Sequence, residues 1–253
     1  MAKALVAVPI PHSERPDYNQ RALPQYVRAL EAAGLTAVPI PYDARPDEIA
    51  RLVGNCQGVL LPGSPADVDP QKYGADRDPL CNAADPRRDT VDELLLQDAH
   101  NMHKPILAVC YGLQSLNVWR TGSLIQHLQT GVDHEPGAEI TVAHEVEIKA
   151  DTLLAKALGT VKEATHTGGK LLLPVNSSHH QAVLAIGDGL CVAAVCPRDG
   201  VVEALEGTST LHWVCAVQWH PERLADEAST VLFAAFSAAV ASWTPRSITE
   251  SVG

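Results

Sequence analysis

A chain of 253 residues with 46% hydrophobic content and no low-complexity tract carries enough apolar material for one large core. Its net charge of −11 and the lack of any basic block argue against nucleic acid or an anionic membrane as partner. No apolar run approaches the roughly 20 residues of a membrane span, and the short apolar N-terminus reads as a first strand, not a leader.

Hydrophobic periodicity then predicts strands and helices in alternation. A strand over 5–8 is followed by a helix over 23–33 that Gly34 ends, and by a second strand over 37–40. A helix over 47–53 precedes a third strand over 59–61. Residues 62–88 form a long loop rich in Pro, Asp and Gly, of the kind that flanks a functional site. A helix over 90–103 leads into an apolar strand over 106–109, and a helix begins at Gly112 with apolar spacing at Leu113, Leu116 and Trp119. Such alternation implies a mostly parallel sheet covered on both faces. The second half changes character. Residues 142–148 alternate as a half-exposed antiparallel strand does, and further strands are expected over 171–175, 190–195, 201–205 and 214–218, with Arg198-Asp199-Gly200 as a tight turn. A helix over 225–240 closes the chain. The expectation is one α/β domain over 1–243, an open mostly parallel sheet with helices on both faces plus a smaller antiparallel region, and a frayed polar tail over 244–253.

Six cysteines (Cys56, Cys81, Cys110, Cys191, Cys196 and Cys215) show no CxxC pairing, which suits free thiols in a reducing cytoplasm. Cys191, Cys196 and Cys215 read as inert core residues. Cys110 differs, because it stands where the 106–109 strand gives way to a helix. A nucleophile on such a turn is pushed into the open at the sheet's carboxyl edge. The helix N-terminus beside it favours a thiolate and, later, an oxyanion. Gly112 allows the close packing that this turn needs.

A thiol nucleophile needs a base, and the base needs an acceptor to fix its tautomer. The apolar run 216–219 ends in His220-Pro221-Glu222. Extended geometry before Pro221 would put His220 and Glu222 on the same side. Cys110, His220 and Glu222 therefore form a candidate triad.

Other polar residues carry rival readings. His179 and His180, with His134, His144 or His166, invite a metal site. Neighbouring histidines on one strand point to opposite faces, and no metalloprotease-like spacing is present, so no metal and no cofactor are expected. Gln114 follows Cys110 by one helical turn and faces the same way. Arg88 and Asp89 read as capping residues for the following helix, and Trp119 and Trp219 as core.

The two catalytic motifs together resemble the class I glutamine amidotransferase-like superfamily. Three more segments narrow the resemblance to the peptidase C26, γ-glutamyl-γ-aminobutyrate hydrolase group. They are the stretch from Val59 to Val68 around Pro62-Gly63-Ser64, Asp85-Pro86-Arg87-Arg88-Asp89, and Val175-Asn176-Ser177-Ser178-His179-His180-Gln181. The resemblance implies a flavodoxin-like sheet and a cysteine hydrolase acting through a γ-glutamyl thioester. It implies an oxyanion hole from the backbone N–H groups of Gly63 and Tyr111, and substrate contacts from Ser64, Gln114, Ser178 and His179. The leaving amine would be a small amino acid or polyamine derivative. One departure stands out: members often carry arginine directly after the nucleophile, where this chain has Tyr111, so substrate preference is expected to differ. The alternatives are a glutaminase subunit delivering ammonia to a synthase, a hydrolase of longer γ-glutamyl chains, and a non-catalytic binding protein on the same fold. The expected partner is a small γ-glutamyl substrate, with a homodimer left open.

Overall fold

The computed structural model describes residues 3–245. Residues 246–253, most of the tail expected to fray, lie outside the described residues. β1 (Leu5–Pro9), α1 (Pro16–Ala32), β2 (Thr36–Ile40), α2 (Pro46–Gly54) and β3 (Gly58–Leu61) open the chain. After a long connection containing one 3-10 turn come α3 (Pro86–Met102), β4 (Ile106–Val109) and α4 (Tyr111–Trp119). The second half supplies β5 (Ser123–Ile125), β6 (His144–Ile148), α5 (Leu153–Leu158), β7 (Thr165–Thr167), β8 (Lys170–Val175) and β9 (Ala182–Ala185). β10 (Leu190–Val195), β11 (Val202–Gly207), β12 (Val214–Val217) and α6 (Glu227–Ser242) complete it.

The strands assemble in the order β2-β1-β3-β4-β12-β11-β10-β6-β8-β7, with β5 and β9 pairing apart as a small antiparallel ribbon. From β2 to β12 the pairings are parallel, and from β12 to β7 they are antiparallel. The α/β architecture is the one expected. The antiparallel strands continue the same sheet outward from β12 instead of standing beside it. Along the parallel strands, side chains alternate between two cores. Val6, Val8, Leu60, Leu107 and Val109 meet Tyr26 and Leu30 of α1 and Phe236 of α6 on one face. Ala7, Val59, Leu61, Ile106 and Ala108 meet Ile49, Leu95 and Leu113 on the other. Among the described residues no helix is long and apolar enough to cross a membrane.

Two helices begin earlier than periodicity suggested. α1 starts at Pro16 and contains Pro24 in its interior. An interior proline costs about 3 kcal/mol, whereas burying Ala22, Tyr26 and Leu30 on one face returns roughly 1.5–3 kcal/mol for each large side chain. Packing outweighs propensity here. α3 starts at Pro86, and Asp85 caps it by accepting the Arg88 N–H at 3.1 Å. Arg88 and Asp89 are therefore buried first-turn residues and not caps.

β3, β4 and β12 are neighbours and run the same way. Their carboxyl ends deliver Pro62-Gly63, Cys110 and Gln218-Trp219-His220 to one edge of the sheet.

Candidate active site

Cys110 sits at φ 52°, ψ −107°, a left-handed conformation that side chains rarely adopt. Its N–H still donates to the Val217 carbonyl of β12 at 2.8 Å, while its own carbonyl accepts the Gln114 N–H of α4 at 3.2 Å. Strand thus turns into helix within one residue. Gly112 makes that turn feasible: a Cβ there would lie 2.3 Å from the Leu61 carbonyl oxygen and 2.7 Å from Leu61 Cβ.

His220 is held by its backbone. Its N–H donates to Asn176 Oδ1 at 2.8 Å, and Asn176 Nδ2 donates to its carbonyl at 2.9 Å. Pro221 and Glu222 then enter a 3-10 turn, not an extended stretch, and that turn brings Glu222 Oε1 to 2.8 Å from His220 Nδ1. His220 Nε2 is buried and has no hydrogen-bond partner among the described residues. Gly63 lies between His220 and Cys110, because a Cβ placed on it would stand 3.0 Å from His220 Cε1 and 3.6 Å from Cys110 Cβ. The three residues of the candidate triad are buried.

Burial sets the resting protonation. It pushes the Cys110 thiol up to about 12, against the opposing pull of the Arg223 guanidinium and the Tyr111 N–H. It also holds His220 below the ordinary 6.5 of an imidazole, although the Glu222 carboxylate pulls the other way. Burial would raise Glu222, but His220 and Arg223 hold it below the ordinary carboxylate value. The resting pair is thiol and neutral imidazole. The thiolate expected from the helix N-terminus is not favoured, because desolvation of the sulfur is the larger effect.

The oxyanion loop also differs from expectation in this state. The Gly63 N–H donates to Tyr26 Oη at 2.9 Å, so the donor is already engaged. A buried N–H takes whatever acceptor lies in reach, and Tyr26, buried on α1, supplies one. Arg88, fully buried, donates through Nη2 to the Pro62 carbonyl at 2.7 Å, through Nη1 to Pro11 at 2.8 Å, and through Nε to Asp92 at 2.7 Å. The Tyr111 N–H, at the start of α4, favours the Cys110 thiolate without outweighing its burial.

Beside Cys110 opens a cavity of about 80 Å3, and Ser64, Gln114, Ser178 and His179 line it along with Asp67 and Glu135. The four expected substrate contacts do gather there, but not all are free. Gln114 Nε2 donates to the Gln181 carbonyl at 3.1 Å and Gln218 Oε1 at 3.2 Å, and Ser178 Oγ accepts from Arg223 at 2.9 Å. The His179 ring turns its Nε2 inward to Glu203. Tyr111 does not shape the cavity. Its side chain is buried between α4 and α3, where Oη donates to Asp89 Oδ1 beneath the Arg88 guanidinium. Lys72 pairs with the same Asp89 at 2.9 Å. The departure from the common arginine therefore falls on helix packing and not on the substrate.

Sequence reasoning missed Tyr26, Arg88 and Asn176 as parts of this site. Asn176 and Arg88 lay inside segments already singled out, whereas nothing in the pattern of α1 marks Tyr26. Two smaller expectations also change. Cys191 is exposed, and Trp119 is only half-buried. A larger cavity of about 250 Å3, lined by residues such as His100, Arg120 and His212, lies at the amino ends of β4 and β12, the edge opposite Cys110.

The adjacency of His179 and His180 does not keep histidines from clustering. His134, His144 and His179 gather around Glu203 from four separate segments. His180 turns away to Asp67 at 3.1 Å, and His166 bonds the Gly159 carbonyl.

Comparison with known proteins bears on the fold and the family. The solved glutaminase domain of Trypanosoma brucei CTPS, with bound acivicin, superimposes with a TM-score of 0.63 at 18% identity, covering 94% of each chain. NtpR of Enterococcus hirae is 39% identical over 166 residues, a match that covers 62% of this chain and 63% of NtpR, under two thirds of that protein. Gamma-glutamyl-gamma-aminobutyrate hydrolase PuuD of Escherichia coli (strain K12) is 32% identical over 224 residues, or 84% of this chain and 83% of PuuD. The Peptidase C26 profile matches residues 6–222, a stretch that holds the elbow, the Gly63 loop and the His220–Glu222 pair, and the chain belongs to that family.

Proposed function

We propose that this protein hydrolyses a γ-glutamyl amide by covalent catalysis at Cys110, with γ-glutamyl-γ-aminobutyrate as the leading substrate. The observation that carries this is His220, fixed by Glu222 at 2.8 Å through Nδ1, with a buried unpaired Nε2 across Gly63 from a strained cysteine. A neutral imidazole in that tautomer can take the thiol proton as sulfur attacks the side-chain carbonyl. The oxyanion then takes up the Tyr111 N–H and competes with Tyr26 for the Gly63 N–H. Each such donor is worth about 2.7–4 kcal/mol at the transition state. His220 next gives its proton to the departing amine, leaving a γ-glutamyl thioester. It then deprotonates a water, which releases glutamate and restores the thiol.

The small cavity supports a short acyl head with the amine directed outward. Carboxylates of Asp67 and Glu135 on its wall suit the α-ammonium of a glutamyl group. The name of PuuD supports the amine, and six free thiols support a reducing, cytoplasmic setting.

The test incubates the purified chain alone with γ-glutamyl-γ-aminobutyrate and, separately, with glutamine, alongside Cys110→Ala, and quantifies released glutamate. Cysteine-dependent cleavage of the first with much slower cleavage of the second is the expected result. Preferential release of ammonia from glutamine would instead favour a glutaminase that serves a synthase. No cleavage of either would overturn the assignment.

A further inference from the structure

Three histidines and one glutamate that the mechanism does not use converge in the interior. Glu203 Oε1, on β11, lies 3.2 Å from His134 Nδ1, 3.4 Å from His144 Nε2 and 3.6 Å from His179 Nε2. The donor atoms of the group lie within 4.8 Å of one another, and all four residues are buried. Among the described residues, none of these three nitrogens and neither oxygen of Glu203 makes a hydrogen bond.

The outward nitrogens explain why. His134 Nε2 lies 2.8 Å from Asp199 Oδ2, His144 Nδ1 is 3.2 Å from the Glu145 carbonyl, and His179 Nδ1 is 2.9 Å from the Gln181 carbonyl. Each outward partner is an acceptor, so each neutral ring must carry its proton outward and turn a lone pair inward. With all three rings neutral, three lone pairs and a carboxylate face one another. Buried acceptors in that arrangement repel unless a cation lies between them.

We infer that this chain binds one divalent transition-metal ion of the zinc class through His134, His144, His179 and Glu203. Imidazole nitrogens with one carboxylate match that class and not calcium or magnesium, which take oxygen ligands. Donors about 2.0–2.2 Å from a tetrahedral zinc stand about 3.3–3.5 Å apart, close to the 3.2, 3.4 and 3.6 Å separations from Glu203 Oε1. Carboxylates of Glu203 and Asp199 balance the charge of a dication. Outward hydrogen bonds to a carboxylate and to backbone carbonyls are also how metal-bound histidines are commonly oriented. With four protein ligands and no solvent access the site is closed, hence structural and outside the acyl chemistry.

Its place in the fold gives it a task. The His134 carbonyl accepts from Ser177 Oγ at 2.6 Å and from the His179 N–H at 2.9 Å. The same segment carries Asn176, which clamps the His220 backbone, and Ser178, which bonds Arg223. The ion would brace the wall on which the catalytic base is mounted.

The test uses the full chain without an affinity tag and needs no substrate, so it stands apart from the hydrolase assignment. Metal content is measured by mass spectrometry after dialysis, and again after chelation and reloading with Zn2+ or Co2+. One ion per chain is expected, with the visible d–d bands of tetrahedral Co2+ displaced by Zn2+. Saturating metal should raise the melting temperature by roughly 8–15 °C if its concentration is about 1,000 times Kd. His144→Gln and Glu203→Gln should lose the Co2+ bands. If these variants fail to fold, the wild-type stoichiometry and spectrum decide. Substoichiometric metal after reloading, an unchanged melting temperature, or the same Co2+ spectrum in folded His144→Gln would each overturn the site.

Discussion

Arg88 Nη2 donates to the Pro62 carbonyl at 2.7 Å, and that carbonyl belongs to the same peptide unit as the Gly63 N–H. In a planar trans peptide the two groups point in opposite directions. Holding the oxygen therefore aims the hydrogen, and a buried side chain on α3 sets the direction of the N–H proposed as oxyanion donor.

Arg88→Lys keeps a cation beside Asp92 but cannot hold Pro62, Pro11 and Asp92 together. It is expected to lower kcat by up to about 100-fold, because small misplacements near the chemistry cost that much. KM should change little, since no residue lining the cavity is altered. Steady-state kinetics on a variant with native circular dichroism checks this, and a large rise in KM with kcat intact would contradict it.

The strain at Cys110 gives a second expectation. Glycine tolerates φ 52°, ψ −107°, whereas alanine retains the Cβ that makes it costly. Both Cys110→Gly and Cys110→Ala should be inactive, with the glycine variant the more stable by about 1–3 kcal/mol. Denaturant melts of the two proteins compare them directly; equal stability would mean the elbow stores no strain.

A third concerns pH. The proposed mechanism needs neutral His220, and burial holds its pKa below 6.5, so protonation should remove activity only on the acid side of that value. The Cys110 thiol, pushed up to about 12, gives no alkaline limb in the neutral range. The profile of kcat/KM should be level from about pH 7 to 9 and fall below about pH 6.5. An acid limb centred above pH 7 would be the contrary result.

Tyr111 supplies a fourth. Because its hydroxyl bonds Asp89 away from the cavity, Tyr111→Phe should leave kcat and KM nearly unchanged. Losing a hydrogen bond to a buried carboxylate should cost about 1–3 kcal/mol of stability, softened by the Lys72 partner that Asp89 retains. Thermal melts and kinetics on the same preparation separate the two effects; a shifted KM at wild-type stability would place the side chain against substrate.

Local pattern by itself determined much of this protein. Apolar runs mark β1, β3, β4 and β12, and the break in pattern at Cys110 marks the elbow, since buried strands and helix starts leave periodic traces within a few residues. His220 and Glu222 were legible for the same reason. Elements with little apolar signal were not: β7 is exposed throughout, and β5 has three residues. Only the tertiary structure decided how distant segments meet. Tyr26 reaches Gly63 from α1, Arg88 reaches Pro62 from α3, and three histidines reach Glu203 from beyond its own strand. These contacts depend on strand order and register across the sheet, which fix where side chains remote in sequence converge and which no local spacing encodes.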